Sequence, residues 1–131
     1  MASEQDTQQR IRLALSKGPV RLFRNNVAKA WSGSKIERQG RDVLVRNARP
    51  IQAGLAVGSA DLIGWKTIEI TPDMVGQRVA VFASLEIKSD RGRLRPEQVV
   101  WQELTQEAGA LSGVARSIPD AQAVLDGRLL V

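Results

Sequence analysis

Glu86 and Lys88, separated by one residue, form the pattern in this chain that most specifically suggests chemistry. They lie in Leu85-Glu86-Ile87-Lys88, which has the alternation of a β-strand, so both side chains are predicted to point to one side. A carboxylate there can bind a hard divalent cation, and an ammonium group can orient water or neutralise charge on a phosphoryl group. The same spacing is common on solvated sheet faces, where Glu and Lys only pair with each other.

A second acidic residue, Asp61, stands at the start of another predicted strand. It follows Gly58-Ser59-Ala60, a glycine-containing turn. Only a short turn at residues 71–77 separates this strand from the one that carries Glu86, so we expect the two strands to be neighbours. Their carboxylates would then point to the same place. The alternative is that Asp61 only accepts backbone N–H groups in its turn.

Two polar residues near predicted helix starts extend this set. Glu4 shares a helix face with Gln8, Ile11 and Leu15, so the apolar stripe ends in an acid, as it does when a helix end overlooks a polar pocket. The helix dipole alone also favours an acid at this position. Gln98 falls in the first turn of a later helix, where its amide can position water or a backbone oxygen.

An arginine-rich loop follows the Glu–Lys pair. Arg91, Arg93 and Arg95 come within seven residues of Lys88, and in an extended loop they can reach phosphates beside a bound cation. A solvated loop with no ligand is the alternative. Among the tryptophans, Trp31 is the best candidate for an exposed aromatic, whereas the other two are expected in the core.

The first half of the sequence predicts a helix, a strand and a long segment that is only partly regular, called the excursion here. The helix covers residues 3–16, with Ser3 and Asp6 in a capping-box arrangement, and Gly18-Pro19 ends it. A strand is predicted at residues 20–24. Residues 25–60 predict a partly extended excursion with a hairpin, because the only apolar alternation in it is at 42–46.

The second half predicts strands over residues 61–70, 77–88 and 113–117 and helices over 96–108 and 119–127. In the second strand an apolar row is expected on one face: Val79, Val81, Ala83, Leu85 and Ile87. In the helix that Pro96 opens, the expected stripe is Val100, Leu104 and Ala108. This order of elements predicts one α/β domain over residues 1–131, with a mixed central β-sheet flanked by helices and an N-terminal helix.

Composition narrows the function classes. The 131 residues include no cysteine and no histidine, which excludes disulfides, thiolate metal sites and histidine-based catalysis. The net charge is +5, and residues 1–66 carry 12 basic and 5 acidic side chains, a net charge of +7, which favours a polyanionic partner. The sequence has no apolar run of membrane-spanning length and no signal-peptide core, so we expect a cytoplasmic protein with no membrane partner.

The order of the polar residues resembles the PD-(D/E)XK nuclease core, and most of all the virus-type replication-repair nucleases, the VRR-NUC family. The matching positions, on a helix, a strand start, a strand and a helix start, are Glu4, Gly58 with Asp61, Glu86 with Lys88, and Gln98. Residues 21–26 and 91–98 also resemble the small stand-alone phage members. Ala60 stands where the wider superfamily has proline, as is usual in this family.

The resemblance implies a restriction-endonuclease-like core and a metal-dependent DNA endonuclease. Its implied ligands for Mg²⁺ or Mn²⁺ are Asp61, Glu86 and the carbonyl of Ile87, with Glu4 adding a ligand directly or through water. Lys88 would orient the attacking water and stabilise the transition state, and Gln98 would position Lys88 or the water. The expected DNA-binding residues are Arg24, Arg91, Arg93 and Arg95.

The small family members are similar to four-way-junction resolvases, so the resemblance also implies branched DNA as substrate and a homodimer, in a bacterial cell and of host, phage or prophage origin. Two alternatives stay open. One is a non-catalytic nucleic-acid-binding module whose carboxylates are structural. The other is a basic interaction protein that meets an acidic protein partner.

Overall fold

A computed structural model describes residues 2–127 and contains both helices and strands, which establishes the mixed α/β class. The chain divides into two compact units, one that ends at Gly64 and one that begins at Trp65. The described strands pair two by two in four two-stranded sheets, and not in the predicted single central sheet, because each five-residue strand is hydrogen bonded to one neighbour. No helix in residues 2–127 is both long and apolar enough to cross a membrane.

Helix α1 (Glu4–Leu15) begins with the predicted cap. The Ser3 hydroxyl accepts the Asp6 N–H at 3.1 Å, and the Asp6 carboxylate accepts the Ser3 N–H at 3.4 Å, which completes a capping box. The predicted apolar stripe of this helix is not buried, since Leu15 is 55% exposed and no residue of α1 is fully buried. The helix contacts β1 (Val20–Arg24), which forms where the sequence predicts it.

The excursion after β1 forms a long antiparallel ribbon, named here the hairpin arm (residues 28–53). Its outer pair is β2 (Ala28–Ser32) with β5 (Arg49–Ala53), and its inner pair is β3 (Lys35–Gln39) with β4 (Asp42–Arg46). The predicted alternation at residues 42–46 is therefore confirmed as β4. Where the two pairs meet, a side chain at position 33 would overlap the Arg46 carbonyl oxygen, so glycine is required there.

Strand β6 (Leu62–Lys66) pairs with β1 and ends four residues earlier than predicted. The expectation that it neighbours the strand that carries Glu86 is wrong, because that strand pairs with a different partner in the described sheets. In the second unit, β7 (Ala83–Ile87) runs parallel to β8 (Leu111–Ala115), with Glu86 opposite Val114. Parallel neighbours need a crossover, and α2 (Pro96–Glu107) supplies it. Helix α3 (Ile118–Gly127) packs on β8 and begins and ends near the predicted positions. Strand β8 begins and ends two residues earlier than predicted.

The prediction of one strand over residues 77–88 is wrong for its first half. Only residues 83–87 have a strand partner, because β8 is five residues long, and residues 77–82 have no regular structure apart from the link of Phe82 to β8. The apolar row predicted for this strand is largely exposed, and Ile87 is 68% exposed. The half-buried side chains on the other face are Ser84 and Glu86.

The stripe predicted for α2 is also wrong, since Val100 and Leu104 are exposed. The face that is buried contains Trp101 and Thr105. Trp101 packs with Trp65 and Phe82 at ring-centroid distances of 6.0 and 6.4 Å, as expected for core tryptophans. Thr105 is fully buried and donates a hydrogen bond to Ser112 of β8 at 2.8 Å.

Candidate active site

Three of the predicted site residues, Glu86, Lys88 and Gln98, meet in the second unit. Glu86 lies on β7, Lys88 follows the end of β7, and Gln98 is in the first turn of α2. The Gln98 Nε2 group donates to Glu86 Oε1 at 2.7 Å, and Lys88 Nζ lies 3.4 Å from the same oxygen. The one-residue spacing of the Glu–Lys pair thus becomes a direct ion pair, and the helix start adds an amide.

The beginning of α2 determines how Gln98 is oriented. Its Oε1 accepts the N–H of Arg95 at 2.9 Å, which is the contact that Glu or Gln makes in a capping box. With Oε1 used in this way, the Nε2 end of the amide faces Glu86. The helix cap and the site contact therefore use the two ends of a single side chain.

Lys88 is held in place by its backbone and its surroundings. Its N–H donates to the Ala115 carbonyl at 3.1 Å, which extends the pairing with β8 beyond the end of β7. A Cβ at Gly92 would lie 3.4 Å from the Lys88 Cβ and Cδ, so the loop after β7 covers the aliphatic part of the lysine. The Lys88 side chain is only 17% exposed, and a lysine that is mostly buried needs the partner that Glu86 provides.

Beside these residues is an open pocket of about 310 Å³ between the β7–β8 pair and α2. Its walls include Ser84, Glu86, Gln98, Trp101 and Gln102. Ser84 accepts a hydrogen bond from the Trp101 indole at 2.8 Å, whereas the buried Gln102 Oε1 has no hydrogen-bond partner within residues 2–127. The pocket is therefore lined by both polar and aromatic groups next to a carboxylate.

The two oxygens of Glu86 differ in their contacts. Oε1 takes both the Gln98 amide and the Lys88 ammonium, whereas Oε2 has no hydrogen bond or ion pair with any residue in the described part of the chain. A carboxylate oxygen is the hard ligand that Mg²⁺ and Mn²⁺ prefer, and Mg²⁺ is often bound by one or two carboxylates plus water. Within residues 2–127, no three Asp, Glu, His or Cys side chains lie close enough together to hold a metal ion. Glu86 thus fits such an ion as a single ligand of the right type.

In the first unit, Asp61 is exposed and follows a tight turn in which Gly58 has a φ of +88°. The Asp61 carbonyl accepts the Asn25 N–H at 2.8 Å, so the aspartate is joined to the end of β1. Its place at the start of β6 agrees with the sequence prediction.

Asn25 is a residue that the sequence analysis missed. Its Nδ2 group donates to Ser59 Oγ at 2.7 Å and to the Ala60 carbonyl at 2.8 Å, and its Oδ1 accepts the Leu55 N–H at 2.9 Å. One side chain therefore holds both ends of the turn that precedes Asp61. The sequence contained one signal that could have identified it, an asparagine directly after a predicted strand. Asparagine side chains often form hydrogen bonds with backbone groups in turns.

The remaining predicted site residues lie at the surface. Glu4 is exposed in the first turn of α1, and the Ile87 side chain is exposed at the end of β7. Their roles as ligands stay predictions.

Among the predicted DNA-binding residues, Arg91 and Arg93 are exposed and make no ion pair with a residue in 2–127. Arg95 lies 3.4 Å from Glu97, and Arg24 is 3.5 Å from the side-chain oxygen of Asn26.

We compared the chain with models of known protein families, with curated proteins and with solved structures, and none of the three comparisons gave a match. Function is therefore inferred from the chemistry of the residues themselves.

Proposed function

We propose that this protein is a Mg²⁺- or Mn²⁺-dependent endonuclease that hydrolyses phosphodiester bonds in DNA. The observation that carries this is the meeting of Glu86, Lys88 and Gln98, two of which, Glu86 and Gln98, line an open pocket. A solvated Glu–Lys pair would not need a largely buried lysine or a third residue fixed by a helix cap. We also propose that β7, α2, β8 and α3 belong to a PD-(D/E)XK core.

The metal ligands in this proposal are oxygen atoms. Glu86 binds the ion through Oε2, which has no partner among the described residues. The sequence pattern adds Asp61, the Ile87 carbonyl and Glu4, directly or through water. When bound, the ion neutralises charge on the scissile phosphate and makes bound water a better nucleophile.

Lys88 and Gln98 act on different partners. The ammonium group of Lys88 donates hydrogen bonds to the attacking water and to the phosphate, where negative charge develops. Gln98 keeps the Glu86 carboxylate turned toward Lys88, so it is a positioning residue. Arg24, Arg91, Arg93 and Arg95 hold the DNA backbone, because guanidinium groups bind phosphate in two-pronged contacts.

The proposed substrate is branched DNA, in particular a four-way junction, and the proposed active form is a homodimer. A two-fold dimer presents two equivalent sites, which suits cleavage of two symmetric strands. The proposed setting is the cytoplasm of a bacterial cell, with a host, phage or prophage gene.

Cleavage of labelled four-way, flap and linear duplex DNA, with Mg²⁺, Mn²⁺ or EDTA, tests this function. We expect metal-dependent cleavage with preference for the four-way substrate, and loss of cleavage in Asp61→Asn and Glu86→Gln. Glu103→Gln is the matched control, because Glu103 is an exposed acid on α2 away from the pocket. Full activity of Glu86→Gln would contradict the assignment.

The same assay separates the two alternatives. Salt-dependent DNA binding without cleavage in any metal would indicate a non-catalytic nucleic-acid-binding module. Absence of DNA binding would favour a basic protein that recognises an acidic protein partner.

A further inference from the structure

The hairpin arm is the most basic continuous surface that the proposed chemistry does not use. Within residues 28–53 there are six basic and two acidic side chains, a net charge of +4. All six basic residues are exposed: Lys29, Lys35, Arg38, Arg41, Arg46 and Arg49. The arm therefore concentrates most of the charge imbalance of the chain in one ribbon.

Most of this charge is not compensated by ion pairs within residues 2–127. Glu37 pairs with Lys35 at 3.2 Å and with Arg46 at 3.4 Å. Four cations remain: Lys29, Arg38, Arg41 and Arg49. Their side chains make no ion pair and no hydrogen bond with any residue in 2–127. They are spread from the base of the ribbon to the turn at its tip. Spacing of this kind suits a partner whose negative charge is also extended.

An exposed tryptophan lies on the same ribbon. Trp31 is 61% exposed, stands opposite Pro50 in the β2–β5 register, and shares a strand face with Lys29. A nucleic-acid base stacks favourably on an indole, while a neighbouring cation binds the adjacent phosphate. An exposed cation by itself does not indicate a binding partner. An exposed indole on the same strand face as a lysine does, and it suggests a partner that has both a flat apolar face and negative charge.

The arm has a defined shape on which these groups are displayed. At the junction of its two strand pairs, the Ser34 N–H donates to the Arg46 carbonyl at 3.0 Å, and the Asn47 amide donates to Ser34 Oγ at 2.8 Å. A two-stranded ribbon fits the major groove of B-DNA, which is about 12 Å wide. The size of the ribbon is thus compatible with this groove.

We infer that the hairpin arm is a second DNA-contacting surface, with Lys29, Arg38, Arg41 and Arg49 on phosphates and Trp31 stacked on an unpaired base. This rests on the proposed function for its DNA substrate, and it adds contacts beyond Arg24, Arg91, Arg93 and Arg95. Binding through phosphates and stacking is largely independent of base sequence. An unpaired base is available where DNA branches.

The test measures binding of a four-way junction in EDTA, where no cleavage occurs, at several salt concentrations. We compare wild type with Arg38→Ala/Arg41→Ala and with a control, Arg10→Ala/Arg78→Ala, which removes two exposed arginines outside the arm. Each phosphate contact contributes about 0.9 to the slope of log affinity against log salt, so the arm variant should lose about 1.8. The control variant should keep the wild-type slope.

Tryptophan emission gives a second readout. Saturating junction DNA should quench wild-type fluorescence, and Trp31→Phe should lose most of that quenching, because the two core tryptophans remain packed together. An unchanged slope in the arm variant overturns the inference. So does a change in oligomeric state with unchanged DNA affinity, which would make the arm an interface between two copies.

The inference and the proposed function fail in different ways. If wild type cleaves junctions and the arm variant binds them equally well, only the arm inference is wrong. If wild type binds no DNA at any salt concentration, both are wrong.

Discussion

Gln98 donates a hydrogen bond from Nε2 to Glu86 Oε1 at 2.7 Å, while its own Oε1 accepts the Arg95 N–H at 2.9 Å. The residue that completes the start of α2 therefore also fixes a carboxylate on β7. A helix cap and a site contact are coupled through one amide, so the start of α2 and the Glu86 carboxylate share a positioning residue.

This coupling predicts that Gln98→Glu separates the two tasks. A glutamate at this position still accepts the Arg95 N–H, as it does in a capping box, but it cannot donate to Glu86 and its negative charge repels that carboxylate. We expect cleavage to slow by about 10²-fold, as small misplacements of reacting groups do, while junction affinity in EDTA stays unchanged.

The matched control for Gln98→Glu is Gln122→Glu, which removes an amide-to-carboxylate contact of the same kind, 2.9 Å from Asp126, on α3. Its cleavage rate should equal that of wild type. If both substitutions slowed cleavage equally, the contact between Gln98 and Glu86 would have no specific role in cleavage.

Metal binding is expected to depend on Glu86 even when no DNA is present. Because Oε2 is the carboxylate oxygen without a partner among the described residues, Glu86→Gln should weaken Mn²⁺ binding by at least about tenfold. Titration calorimetry of the free protein with Mn²⁺ measures this directly. Glu103→Gln should bind Mn²⁺ as wild type does, and an unaltered affinity in Glu86→Gln would remove this residue from the ligand set.

Asn25 is predicted to stabilise the turn before Asp61. Asn25→Ala removes three side-chain hydrogen bonds, each worth about 1 kcal/mol net, so the free energy of unfolding should fall by about 2–3 kcal/mol. Urea denaturation measures the change. Asn26→Ala is the control, because within residues 2–127 the hydrogen bonding of its side chain is limited to a long 3.5 Å bond accepted from Arg24. A loss of the same size in both variants would contradict the role of Asn25.

Local signals in the sequence predicted much of the fold. Ser3 and Asp6 form the capping box that their spacing indicates, and Pro96 begins α2 as its missing N–H allows. The alternation at residues 42–46 also became a strand. These elements depend on neighbours within a few residues, so the sequence is sufficient to place them.

Elements that depend on distant partners were not predicted as well. Alternation alone favoured a strand over residues 77–88, but only the part opposite the five-residue β8 is paired. On α2, Thr105 is buried instead of Leu104, because its hydroxyl reaches Ser112 on β8. Periodicity cannot identify such a partner before the fold brings it close.

In the candidate site, too, the features that depend on nearby residues were predicted and those that depend on distant residues were not. That Glu86 and Lys88 point to one side follows from strand geometry and was predicted, and Gln98 was placed correctly in the first turn of a helix. Its capping bond and its contact with Glu86 were not foreseen. Asn25 was missed because its partners Leu55, Ser59 and Ala60 lie at least 30 residues away.

The most direct test of the account is the rate of single-turnover junction cleavage in Mg²⁺ by Lys88→Ala. Removing one donor from developing transition-state charge costs about 10²–10³-fold in rate, so we expect a loss of at least that size with DNA binding in EDTA retained. Lys66→Ala, which removes an exposed lysine, should cleave at the wild-type rate. Cleavage by Lys88→Ala at the wild-type rate would contradict the central claim.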